Sequence, residues 1–306
     1  MTLGPDRGSI GAVVVTYHPD AGVGRRLEGI AAQVAGLVVV DNSADAAVAG
    51  ALRSVTDRLG AHLVVNAENL GVAAALNAGV RWAVGQGYGW VLTLDQDSAP
   101  LPSLVDGLVT VFHASGRGDR LGAIGANYVN APTSTPTHRP SWFRGCTWRE
   151  CTTVITAGTL LSLRAFATVG PFRDAFFIDS VDHDYCLRLR ALGFRVIVTR
   201  DALLVHSVGD YERVRVLGME IAHSIHSPTR RYYITRNRLV LIGEYALKEP
   251  RWALGQTRRL IQDTLLMVLF ERERLRKIVA MGLGVWHFLR RRLGRLDAGG
   301  LRLIGA

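Results

Sequence analysis

Four short apolar runs rich in β-branched residues constrain the fold most: 10–16 (IGAVVVT), 37–40 (LVVV), 62–65 (HLVV) and 90–94 (WVLTL). Each is continuous rather than alternating and too short for a helix, so each reads as a strand buried on both faces. Helical patterns lie between them at 24–34, 45–59 and 72–84. Strands alternating with helices imply a parallel sheet covered by helices, because a parallel crossover needs a long connection. Such sheets bind ligands beyond the carboxyl ends of their strands. The second run ends in Asp41-Asn42-Ser43, the third at Asn66, the fourth at Asp95 and the first in Thr16-Tyr17-His18. The third helix opens with small residues at 69–79 (NLGVAAALNAG), which allow close backbone approach to a phosphate or base. It lacks the G-x-G-x-x-G fingerprint, which weighs against a nicotinamide dehydrogenase.

The middle of the chain is less regular. A strand is expected at 122–128, then an irregular insertion over 130–148 with three prolines, then a strand–turn segment at 153–163. Residues 181–192 read as a helix closed by Gly193, and strand-like runs return at 195–199 and 203–206. Beyond about residue 215 the pattern turns helical, with breaks expected near Pro250 and at Gly282–Gly284. The expected organisation is therefore a catalytic domain over 1–215, its two halves meeting near residue 100, and a basic helical region over 216–306.

Charge separates these regions. Residues 1–209 hold 17 basic and 17 acidic side chains, whereas 210–306 hold 19 and 9. The whole excess of +10 lies in the last third, which points to an anionic partner. Apolar runs at 265–270 and 278–289 are flanked by Arg272, Arg274, Arg276, Lys277 and Arg290–Arg292. They are too short to span a bilayer and suit helices lying on an anionic membrane surface; packing on the core is the alternative. Only three cysteines occur, at no zinc-ligand spacing, and the N-terminus lacks a basic segment leading into an apolar one. A reducing compartment and no signal peptide are expected.

Three features carry chemistry. Asp95-Gln96-Asp97-Ser98 places two carboxylates at a strand end, where hard divalent cations share oxygen ligands with phosphates. An ordinary surface turn also produces this pattern. Asp179-Ser180-Val181-Asp182-His183-Asp184 precedes and opens a helix. Asp182 is a candidate general base for an acceptor hydroxyl, with Asp179 and Asp184 as neighbours; the helix dipole alone also favours acid there. His206 follows an apolar run, and Asp97 is its natural partner in a metal site. Trp142 in the insertion is a candidate sugar contact, and Arg236, within RRYYITRNR, a candidate contact to a lipid diphosphate.

The motifs VVVTYHP, VVVDNS, NAENLGVAAALNAGV, LTLDQDS, TAGTLLS, FFIDSVDHDYCLRLRALGF and LLVH, in this order over roughly 10–240, resemble family 2 glycosyltransferases. DQDS, FFIDSVDHDYCLR and RRYYITRNR are most similar to the bacterial rhamnosyltransferase branch. The resemblance implies an α/β GT-A fold, Rossmann-like, with a mainly parallel sheet flanked by helices and a helical C-terminal extension. It implies that Thr16 and Tyr17 line the base pocket, Asp41 accepts from the pyrimidine imide N–H, and Asn69 and Gly71 sit by the nucleotide. Asp95 would contact ribose or sugar, Asp97 and His206 a Mg²⁺ or Mn²⁺ ion, and Asp182 would be the catalytic base. The family more often has Glu-Asp where this chain has Val181-Asp182, so one acidic neighbour is missing.

The expected activity is inverting transfer, with dTDP-L-rhamnose favoured as donor and a UDP- or GDP-sugar as the alternative. The expected acceptor is a lipid-linked saccharide at the cytoplasmic face of the cell membrane. Expected partners exclude nucleic acid, and a homo-oligomer is compatible with the sequence. A catalytically silent membrane-bound partner is the reading from another class.

Overall fold

The structure is a computed structural model that describes residues 4–116, 118–131, 134–206, 210–216 and 219–305, with 210–223 described as backbone only. The chain divides into two compact units: Met1–Arg173 with Tyr185–Ser207, and Asp174–Asp184 with Val208–Ala306.

The first unit begins with the expected alternation: β1 (Ile10–Thr16), α1 (Val23–Ala31), β2 (Gly36–Asp41), α2 (Ala46–Leu59), β3 (His62–Val65), α3 (Gly71–Gly85) and β4 (Trp90–Asp95). It continues through β5 (Ala99–Pro100), α4 (Leu104–Ala114), β6 (Leu121–Asn130), β7 (Thr135–Pro136), β8 (Trp148–Glu150), β9 (Thr159–Ser162) and α5 (Leu163–Val169). Helix α6 (Val181–Ala191) opens in the second unit, and β10 (Arg195–His206) closes the first.

The sheet runs β3-β2-β1-β4-β9-β6-β10-β5. The strands β3, β2, β1 and β4 are parallel, β9 is antiparallel to both neighbours, and β10 is parallel to β6. Every residue of β1 is buried, as its unbroken apolar run requires. The third run departs from expectation: β3 is the edge strand, and His62 and Val65 are exposed. Ile10, Val14, Leu27, Leu92, Leu108 and Leu204 are among the side chains that join the helices to the sheet in one core. Truncating such a residue, Leu92→Ala for example, costs about 2–5 kcal/mol. Helix α2 starts where Asp45 accepts from the N–H groups of Ala47 and Val48, and it stops at Gly60 in left-handed conformation.

In the second unit a backbone hairpin, β11 (Asp210–Val216) with β12 (Met219–Ile225), precedes α7 (Pro228–Tyr245), α8 (Pro250–Phe270), α9 (Arg274–Leu289) and α10 (Ala298–Leu303). Two expectations are corrected here. Helix begins only at Pro228, capped by Ser227, because DYERVRV and MEIAHSI alternate with the period of strands. The break between the last long helices falls at 271–273, where Glu273 has φ 54°, and α9 runs through Gly282 and Gly284. Gly284 is a packing position: a Cβ there would lie 2.8 Å from the Tyr232 carbonyl oxygen of α7.

Candidate active site

The carboxyl ends of β1, β2 and β4 align. Thr16 is in register with Asp41, and Val15 with Asp95. Asp41 is fully buried, and its Oδ1 accepts from Thr16 Oγ1 at 2.8 Å and from Ser43 Oγ at 2.7 Å. Its Oδ2 is buried and has no hydrogen-bond partner. Such an acceptor is costly unless a ligand donor completes it. Beside it, Asn42 Nδ2 donates to the Gly71 carbonyl at 3.0 Å, and Asn66 Nδ2 to Asn42 Oδ1 at 2.8 Å. Asn69 Oδ1 accepts from the Gly71 N–H at 2.9 Å, and Gly71 has φ 85°, which a side chain would strain. This turn opens α3. The Tyr17 ring is half exposed, edge-on to His18, and its N–H donates to Gln96 Oε1 at 2.7 Å.

The turn after β4 is held from three sides. Gln96 meets Tyr17 through its side chain, its carbonyl accepts from Arg26 Nε at 2.6 Å, and Ser98 Oγ accepts from the Asp95 N–H at 3.2 Å. The two residues of β5 then pair with the end of β10, Ala99 opposite Val205. That pairing brings His206 to the acidic turn. Nδ1 of His206 lies 3.2 Å from Asp97 Oδ1, and Nε2 lies 3.8 Å from Asp95 Oδ2. The imidazole is buried, with Tyr128 edge-on at 5.6 Å, while both carboxylates are about one-third exposed. Despite the short separation, His206 Nδ1 lacks the alignment of a formed hydrogen bond. Burial pushes the His206 pKa down, but the adjacent Asp97 carboxylate and the charge of Asp95 outweigh it, so the net shift is upward.

One ligand atom from each of Asp95, Asp97 and His206 lies within 4.8 Å of the others. Two carboxylates and an imidazole form a donor set suited to Mn²⁺ or Mg²⁺, and the exposed carboxylate side leaves room for phosphate oxygens. The unaligned Nδ1 fits a ligating role.

The expected acceptor residues fall into two settings. In the first unit, Trp142 stacks on His138 at 4.6 Å and carries the Arg149 guanidinium over its ring, also at 4.6 Å. Asn127 pins this segment, exchanging hydrogen bonds with the backbone N–H and carbonyl of His138. The cavity beside it, about 520 Å³, is lined by Arg139, Arg144 and Arg149 among others. None of the three pairs with a carboxylate among the described residues.

In the second unit, Asp182 is half-buried and its Oδ1 accepts from the His183 N–H at 2.7 Å. Burial holds the His183 imidazole below its ordinary pKa against the pull of Asp182. The strap leading to Asp182 is strained, with Phe177, Asp179 and Ser180 all at φ of 62–64°. Helix α7 holds it. Asn237 Nδ2 donates to the carbonyls of Phe176, Ile178 and Asp179 at 2.9–3.0 Å, and Arg230 grips both oxygens of Asp179. Arg236 was expected to face a diphosphate, but the structure gives it a different place. It is 1% exposed, lies over the Tyr232 and Tyr233 rings, and donates to the carbonyls of Ala175, Phe176 and Gly294.

Sequence reasoning found the strand-end acids and His206, and the structure brings Asp95, Asp97 and His206 together. It did not foresee the anchoring by Gln96, Ser43, Asn127 and Asn237. Of these, only Asn237 stood in a motif already singled out.

Residues 12–169 match the family model described as Glycosyl transferase family 2. Over 242 residues, the chain is 30% identical to the dTDP-rhamnosyl transferase RfbF of Shigella flexneri, covering 76% of this chain and 80% of that one. Among solved structures, S. aureus TarS superposes with a TM-score of 0.59 at 13% identity, over 96% of this chain. This chain spans only 50% of the length of TarS. A mannosyltransferase from Pyrobaculum calidifontis, solved with GDP-Man and Mn²⁺, gives 0.58 at 17% identity, over 95% of this chain and 89% of that one. Both structures share the α/β GT-A fold with this chain.

Proposed function

The chain belongs to glycosyl transferase family 2, on its rhamnosyltransferase branch, and from that premise we propose that it moves L-rhamnose from dTDP-L-rhamnose to a hydroxyl of a lipid-linked saccharide, with inversion. The observation that carries the reading is the Asp95, Asp97 and His206 cluster at the strand ends, beside the unsatisfied Asp41 Oδ2. A Mg²⁺ or Mn²⁺ ion held by that cluster would neutralise charge on the donor diphosphate as it leaves. Asp41 Oδ2 takes the imide N–H of the pyrimidine, with Thr16 and Tyr17 lining the base and Asn69 and Gly71 bordering the nucleotide. Asp95 also meets ribose or sugar hydroxyls.

Asp182 accepts the proton of the acceptor hydroxyl, whose oxygen attacks the anomeric carbon from the face opposite the diphosphate. The bond to the diphosphate breaks in the same displacement and dTDP departs. No covalent enzyme intermediate forms, and the leaving group needs no acid. Asp179 serves as a positioning residue through Arg230. Arg236 has no part in acceptor binding, because its donors are already engaged. The cationic cavity at Trp142 suits a phosphate-bearing acceptor, consistent with a lipid-diphosphate saccharide at the cytoplasmic face of the membrane.

A UDP- or GDP-sugar donor, for galactofuranosyl or hexosyl transfer, would use the same residues. The relative's dTDP-rhamnosyl activity favours the deoxy donor. The test is product analysis: protein, Mn²⁺, dTDP-rhamnose and a short lipid-diphosphate saccharide are incubated, and the new linkage is read by NMR. A product whose anomeric configuration is opposite to the donor's supports the proposal; retained configuration refutes the single displacement. A folded protein that binds the donor and never transfers would favour the silent partner.

A further inference from the structure

Helix α9 turns the wrong face to water for a soluble bundle. Its packed side consists of Lys277, Ala280, Gly284 and His287. Lys277 pairs with buried Glu271 at 2.5 Å, and His287 Nδ1 meets Tyr232 Oη at 2.7 Å. Its exposed side holds Leu275, Ile278, Val279, Val285, Trp286 and Leu289, with Leu275 at 76% and Leu289 at 67% exposure. At about 100° per residue these six fall within an arc of about 120°. Arg274 bounds that arc on one side and Arg276 and Arg290 on the other, all exposed. The Arg290 guanidinium lies 4.4 Å over Trp286. Helix α8 repeats the arrangement, with exposed Leu254, Ile261, Leu265 and Leu269 on one stripe and Arg258 beside it.

Burial of apolar surface is the main force that shapes a helix bundle, so a helix whose apolar stripe faces out is built for a second apolar medium. Among the described residues, no helix is long and apolar enough to cross a membrane. A helix of this pattern lies in the plane of the interface instead. The flanking cations select the occupant. Arg272, Arg274 and Arg290 have no carboxylate partner among the described residues. A second copy of this chain would bring the same cations against them, and nucleic acid would leave the leucines unsatisfied. We infer that the exposed faces of α8 and α9 dock the protein on an anionic phospholipid bilayer, apolar side chains in the acyl boundary and arginines on the headgroup phosphates.

This inference stands apart from the choice of donor and needs no turnover to test. The full chain is floated with vesicles of about three parts phosphatidylcholine to one part phosphatidylglycerol, and with phosphatidylcholine alone. The protein should float with the mixed vesicles and about tenfold less with the neutral ones or in high salt. Leu275→Ser with Trp286→Ser and Leu289→Ser should lose about tenfold or more of that binding while keeping its circular dichroism. Arg272→Gln with Arg274→Gln and Arg290→Gln should lose the preference for phosphatidylglycerol, and this variant decides alone if the serine variant fails to fold. No flotation of the wild type, or unchanged lipid preference in the arginine variant, overturns the inference. So does a serine variant that floats normally, or one that only converts a dimer to a monomer.

Discussion

Asp41 has one oxygen doubly engaged and the other waiting for a donor. Asp41→Asn puts an N–H₂ where the imide N–H arrives. It should weaken dTDP binding by about 10- to 100-fold, roughly 1–3 kcal/mol, in a calorimetric titration. Asp182→Asn should leave that affinity in place and lower kcat by about 10²–10⁴. A matched loss of binding in both variants would contradict the division of roles. The strand-end acids were legible in the sequence because a buried run ending in Asp is a simple pattern. The hydroxyls of Thr16 and Ser43 that orient Asp41 were not, since their roles depend on which strand lies alongside.

A second residue-scale prediction concerns pH. Burial, reinforced by the charge of Arg230, pushes the His226 imidazole down to about 4. The folded protein therefore holds the neutral ring, whereas the unfolded chain takes up its proton near pH 6.5. Stability from this residue is complete above that pH and declines as pH falls toward 4, by at most about 3 kcal/mol. The loss in Tm between pH 7 and pH 4.5 should be smaller in His226→Gln than in the wild type.

At the scale of elements, α7 is the organiser of the second unit. Its RRYYITRNR segment reads as a basic, surface-seeking stretch, yet Arg231, Arg236 and Asn237 are all buried. Sequence alone gave no sign of this, because the partners are carbonyls of a strap some 60 positions earlier. Asn237→Ala removes the donor to three of them and should cost about 1–3 kcal/mol in urea unfolding. Because the same strap carries Asp182, kcat should fall while donor affinity holds. Deeper in the unit, Glu271 is buried between Arg231 and Lys277. Glu271→Gln leaves two buried cations uncompensated and should destabilise by about 3–5 kcal/mol. The hairpin β11–β12 escaped the sequence reading for a related reason: its arginines suggested the start of the helical region, and the period-2 alternation carried the better signal.

At the scale of the whole molecule, the nucleotide-binding half was the most legible part, since strand, helix and strand-end polarity all recur there with one period. The later half was less so. There β9 and β10 join the sheet through antiparallel pairing and register shifts that local pattern does not encode. The division of the chain also lies across the sequence, because 174–184 belongs with the C-terminal helices rather than with its neighbours.

The central claim is that the Asp95, Asp97 and His206 cluster binds a nucleotide sugar through a divalent metal. The most direct measurement is calorimetric titration of dTDP-rhamnose, with and without Mn²⁺, into wild type and Asp97→Asn, with UDP-glucose and GDP-mannose as comparisons. The account predicts binding that needs Mn²⁺, prefers dTDP-rhamnose and weakens by about tenfold or more in Asp97→Asn. Binding of equal strength without metal, or unaltered in Asp97→Asn, would contradict it.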